Sequence, residues 1–205
     1  MTETYRVTAA QDGITGEFQQ VLYWTVKDNP AHVSLIQLLT IPGFIVLGAG
    51  FSLLAIQIGK FPNTFRLGVT EAGIVVGAIL AGMVTTLVLH EWVHGLTMER
   101  YGARPQYGLL WKQLMFYATS PGFAFRRDSY ILIVLAPLFG LSGLAILGMI
   151  LLQGTNWVAL LAFLATLNGC GAFGDIWLVS IVLRYPRTAY VVDERDGVRV
   201  LVRNA

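Results

Sequence analysis

Three side chains within one helical turn carry the chemistry of this chain: His90, Glu91 and His94, in the run His90-Glu91-Trp92-Val93-His94. Residues four apart share a helix face, so both imidazoles can offer a ring nitrogen to one ion. Glu91 stands one step round the helix and can reach a water on that ion without ligating it. Zinc held this way lowers the pKa of its water towards about 7 and polarises a carbonyl. Glu91 is then placed to take the water's proton and return it to a leaving amine. The spacing predicts a zinc site that hydrolyses an amide bond.

Zinc hydrolases usually want a third protein ligand. Where metzincins place Gly and His a few residues on, this chain has Thr97 and Arg100, which excludes that class. Glu99 falls on the wrong helix face. The remaining candidate is Asp175; it and Glu91 are the only acids in the four long apolar stretches described below. His94 and Asp175 lie roughly 6 and 12 Å from the same-side ends of their stretches at about 1.5 Å per residue, about the same layer. Asn168 precedes Asp175 by two helical turns on one face, with Gly171 and Ala172 between them. Small residues let another helix or a substrate backbone come close. Gly169, Gly171 and Gly174 also weaken this helix, so local unwinding is expected there. Cys170 points to another face and reads as a small packing residue, and a lone cysteine excludes an intrachain disulfide. His32 reads as an interfacial side chain.

The elements that must hold these groups are apolar. Of 205 residues, 55% are hydrophobic and 13% charged, against roughly 25% charged in soluble domains. Such a chain cannot cover itself with a polar shell, so it is expected to be a single integral membrane domain over residues 1–205. A net charge of +2 is too small to suggest nucleic acid. The first 33 residues carry no basic segment running into a short apolar core, so a cleaved signal peptide is not expected. Four stretches are long enough to cross a bilayer: Ser34–Ile58, Ala72–Met98, Tyr130–Leu152 and Trp157–Leu183. Pro42 and Pro137 lie inside the first and third, where neighbours must satisfy the freed carbonyls. Twelve of the fourteen basic residues precede the first stretch, lie between the second and third, or follow the fourth. Only Lys60 and Arg66 lie on the other side. The positive-inside rule then puts both termini and the loop 99–129 in the cytoplasm, at the cell membrane. That loop holds Gly102, Pro105, Gly108 and Pro121-Gly122 among aromatic residues and reads as short strands. The tail 184–205 has two Val-rich runs around Asp193-Glu194-Arg195-Asp196-Gly197, the pattern of a hairpin. The expected fold is an all-α membrane protein of four transmembrane helices with short cytoplasmic β-hairpin elements.

Together these residues resemble the site-2 protease class of intramembrane metallopeptidases. They look closest to the small bacterial and archaeal membrane proteins called putative zincin peptidases. The shared pattern is HExxH followed by Gly (His90–Gly95), then a Gly- and Pro-containing loop (Tyr101–Gly108). Ala136-Pro137-Leu138 follows in the third stretch, and Asn168 with Gly174-Asp175 in the fourth. The likeness covers roughly residues 72–184. It implies Zn²⁺, peptide-bond hydrolysis within or beside the membrane, Asp175 as third ligand, and Asn168 holding substrate or the oxyanion. In one respect the chain departs: site-2 proteases carry Leu-Asp-Gly after a proline-containing stretch. Here the acid stands in Gly-Asp-Ile, with no proline between Asn168 and Asp175.

Other readings fit less well. Two His and one carboxylate also describe non-haem iron oxygenases, but Glu91 would then have no duty. A di-iron site needs a second Glu-x-x-His and more buried acids. A haem needs its histidines on opposite sides of the ring. A transporter would be expected to show repeats or paired broken helices. The chief alternative is a membrane scaffold or regulator that keeps a structural zinc site; loss of Glu91 would mark it, and Glu91 is present. The expected partners are a membrane-associated protein or peptide substrate and the lipid bilayer.

Overall fold

The computed structural model describes residues 3–59, 69–110 and 115–203. The elements run β1 (Glu3–Val7), β2 (Ala9–Ala10), β3 (Gly16–Thr25), α1 (Pro30–Gly59), α2 (Val69–Arg100), β4 (Gln106–Leu110), β5 (Met115–Thr119), β6 (Phe123–Arg126), α3 (Arg127–Leu151), α4 (Trp157–Gly171), α5 (Phe173–Val182), β7 (Tyr190–Glu194) and β8 (Gly197–Arg203). They form two compact units. One comprises Met1–Gln37, Glu91–Ala136 and Gly174–Ala205; the other comprises Leu38–His90 and Pro137–Phe173.

The first unit corrects the all-α expectation. It carries a six-stranded mixed sheet in the order β1-β3-β8-β7-β6-β2, and a separate two-stranded hairpin, β4-β5. Every pairing is antiparallel except β2 with β6. The expected tail hairpin exists as β7-β8, joined across Arg195-Asp196. It is not an isolated element, because β8 also pairs along β3 from Phe18 to Thr25. What drives the sheet is alternation. In β3, Phe18 and Trp24 turn inward while Val21 and Tyr23 stay exposed. One face buries Phe18, Val7, Tyr190, Val192 and Leu201. The other buries Trp24, Phe125, Tyr130, Ile133, Val191, Val198 and Val200. The strands expected in the loop 99–129 are β4, β5 and β6.

The second unit is helical. Among the described residues, four helical segments are long and apolar enough to cross a membrane, Pro30–Gly59, Ala72–Arg100, Arg127–Leu151 and Trp157–Val182, and each has one end in the first unit. Each coincides within a few residues with an expected stretch. Its enclosed residues are mainly small: Ala55, Ala145, Ala162 and Ala165, with Met149 and Val158. The fourth segment is not one helix. α4 stops at Gly171, Ala172 takes the C-cap position, and α5 starts at Phe173. The interruption falls among the three glycines that weaken this stretch. Lys60 and Arg66, which set the orientation argument in the first loop, and Lys112 in the second, lie outside the described residues.

Candidate metal centre

α2 places His90, Glu91 and His94 on neighbouring positions near its C-terminal end. One ligand atom from each lies within 4.8 Å of the others. Both histidines are only 7% exposed, a burial that polar rings tolerate only with partners.

Those partners fix the tautomers. His90 Nδ1 lies 3.0 Å from Asn168 Oδ1 on α4. The amide cannot be turned over without loss, because Asn168 Nδ2 donates to Pro137 O at 3.1 Å and to Ser142 Oγ at 3.2 Å. A third contact, to Leu138 O, is longer at 3.5 Å. Oδ1 therefore faces His90 as an acceptor, Nδ1 carries the hydrogen, and Nε2 keeps the lone pair a metal needs. His94 Nδ1 lies 3.0 Å from the backbone carbonyl of Ile133 on α3. A carbonyl only accepts, so His94 also carries a hydrogen on Nδ1, which leaves Nε2 as the ring atom that can face a metal.

Asp175 stands in the first turn of α5, with Oδ2 3.5 Å from His94 Nε2. Two ligands of one tetrahedral zinc, each about 2.0–2.1 Å from it, stand about 3.4 Å apart. The donor set and this spacing fit zinc. Glu91 is held differently: its Oε2 accepts the backbone N–H of Ala118 on β5 at 2.8 Å. Ala118 stands opposite Tyr107 of β4, and its N–H is given to Glu91. Gly95, directly after His94, has its own reason to be glycine. A Cβ there would collide with the end of the Tyr107 side chain, which would have to move aside.

One residue of the surroundings went unread in the sequence. Asp193, assigned there to a hairpin turn, is a half-buried acid on β7. It accepts the Tyr130 hydroxyl at 2.8 Å through Oδ1, and its backbone carbonyl accepts the Thr119 hydroxyl at 2.9 Å. Burial pushes its carboxyl up to about 7, against the Tyr130 and Thr119 hydrogen bonds; the charge of His94 lowers it and that of Glu91 raises it. The available signal was an acid inside a Val-rich strand, which reads equally well as a turn. Cys170 is buried in α4. His32 accepts Trp24 Nε1–H at 3.3 Å and packs on Trp177.

Two buried histidines with a half-buried glutamate between them, each ring held through Nδ1, fit a zincin-type metal centre. The family model described as "Putative zincin peptidase" matches residues 83–190, just over half of the chain, and the chain belongs to that family. No curated protein and no solved structure matches it. Family and cluster together assign Zn²⁺ as the cofactor and fit a zinc peptidase.

Proposed function

We propose that this protein is an intramembrane zinc metallopeptidase of the site-2 protease type, with His90, His94 and Asp175 as ligands and Glu91 as general base. The observation that carries this reading is the 3.5 Å approach of Asp175 Oδ2 to His94 Nε2, beside the HExxH turn. When bound, zinc supplies Lewis acidity, making water acidic enough to lose a proton near neutral pH and polarising the scissile carbonyl. Glu91 accepts that proton and delivers it to the leaving amine. Asn168 and the Ile133 carbonyl orient the two imidazoles. A hold by Asn168 on substrate or the oxyanion would require it to give up one of its present bonds.

The membrane part of the proposal rests on the helices. The most apolar window of Ala72–Arg100 has no buried residue and that of Pro30–Gly59 only 6%. Water would not tolerate so much contiguous apolar surface. The basic residues orient the chain with both termini and the loop 99–129 in the cytoplasm. The substrate is then a membrane-associated polypeptide that unfolds locally and lies extended along the β5 edge, where backbone pairing can hold it.

The test is the full chain in lipid vesicles with fluorogenic peptides that carry an apolar segment of about 20 residues. Wild type is expected to cleave, and Glu91→Gln and His94→Ala are expected not to. Full cleavage by Glu91→Gln would sink the mechanism. A wild type that binds zinc but cleaves nothing would favour the scaffold with a structural metal.

A further inference from the structure

The carbonyl that holds His94 is free to do so for a covalent reason. In an α-helix the N–H of residue i bonds the C=O of residue i−4. The residue four beyond Ile133 is Pro137, inside α3, and proline has no N–H. The Ile133 carbonyl is thus deprived of its helical donor. It lies in a fully buried residue, where an unmet carbonyl would be costly. His94 Nδ1 meets it at 3.0 Å. Four residues further along, the proline's own carbonyl takes the Nδ2 of Asn168, the amide that fixes His90.

We infer that Pro137 is a positioning residue for the metal site: by withholding its N–H it reserves the Ile133 carbonyl for His94 and fixes that ring with Nε2 as the ligand atom. The inference rests on the reading of His94 as a metal ligand. It explains a proline in the middle of a long apolar helix, where alanine would form a better helix. It also gives the residue an effect opposite in sign to that of an ordinary packing residue. Pro137→Ala returns an N–H to the helix, which competes with His94 for one oxygen. The helix gains a bond and the metal site loses its support.

The experiment uses the full chain in detergent, with three readouts: melting temperature without metal, zinc affinity by competition with a chromophoric chelator, and the ¹⁵N signals of labelled histidine, which report the tautomer. For Pro137→Ala the expected result is an unchanged or higher melting temperature, zinc affinity lower by about 10–100-fold, and loss of the uniform Nδ1–H form of His94. Affinity within twofold of wild type, with the tautomer kept, would overturn the inference. A variant that melts lower and loses zinc while His94 keeps Nδ1–H would make the proline a packing residue, and would overturn it too. His94→Ala separates the two levels: if it binds zinc as wild type does, the ligand reading itself fails, whatever Pro137 does.

Discussion

The two compact units bury their side chains in opposite ways. The sheet unit is organised like a water-soluble core: Phe18, Phe125, Tyr130, Leu201 and the valines of β7 and β8 are enclosed, and polar residues alternate outward. The helical unit is inverted. Its enclosed cluster is mostly alanine, with Met149 and Val158, and many of its large side chains (Leu38, Ile45, Val46, Ile56, Leu80, Phe139, Leu144) face outward. Water rewards burying large apolar groups. Lipid does not distinguish them from its own chains, so helices there pack through small residues. The difference teaches where solvent is expected to change along the chain. It also isolates the exceptions. Few polar side chains are buried among the described residues, and His90, His94 and Asn168 are three of them. Polar groups kept at such cost are the natural place to look for function.

The largest effect should come from that exception set. Glu91→Gln should cut peptide cleavage by about 10²–10⁴-fold, the range of a lost general base, while zinc content stays at wild-type level. Next, the inverted burial can be broken with one charge. Ile45 is 67% exposed on α1, and Ile45→Arg should cost about 3 kcal/mol in a bilayer. The same change at exposed Val21 on β3 should cost under about 0.5 kcal/mol, as on a watery surface. Comparing the membrane-integrated fractions of the two variants checks this, and equal losses would erase the contrast. A smaller effect concerns Asp193, the half-buried acid in the sheet unit. Its carboxyl sits at about 7 in the folded chain against an ordinary 3.8, so the folded state holds the proton more tightly. Its contribution is greatest below about pH 4 and is lost as pH rises through 7. The metal-free wild type should melt a few degrees lower at pH 8 than at pH 5, at about 2–4 °C per kcal/mol for a chain of this size. Asp193→Asn should flatten that part of the slope.

The helices were legible because hydropathy is local: each span is read from about 20 consecutive residues. The HExxH turn was legible for the same reason, and Asp175 because so few acids lie in the apolar stretches. The sheet was not legible as a sheet. Its hairpins β4-β5 and β7-β8 carry local turn signals, but β3 finds its partner β8 at the far end of the chain, and no local pattern announces such a pairing. β1 and β3 are also rich in Gln, Glu and Arg, so the N-terminal segment read as merely polar. Pro137 was visible as a proline inside a helix. Only the coordinates show which carbonyl it leaves open and which ring takes it.

The central claim is that one zinc ion sits on His90, His94 and Asp175. It is tested most directly by zinc content per chain, measured by mass spectrometry on detergent-purified protein prepared without chelators. The account predicts about one zinc in the wild type and in Glu91→Gln. It predicts strongly reduced zinc in His94→Ala and Asp175→Ala. Full zinc in Asp175→Ala would move the third ligand elsewhere, and a wild type without zinc would contradict the account outright.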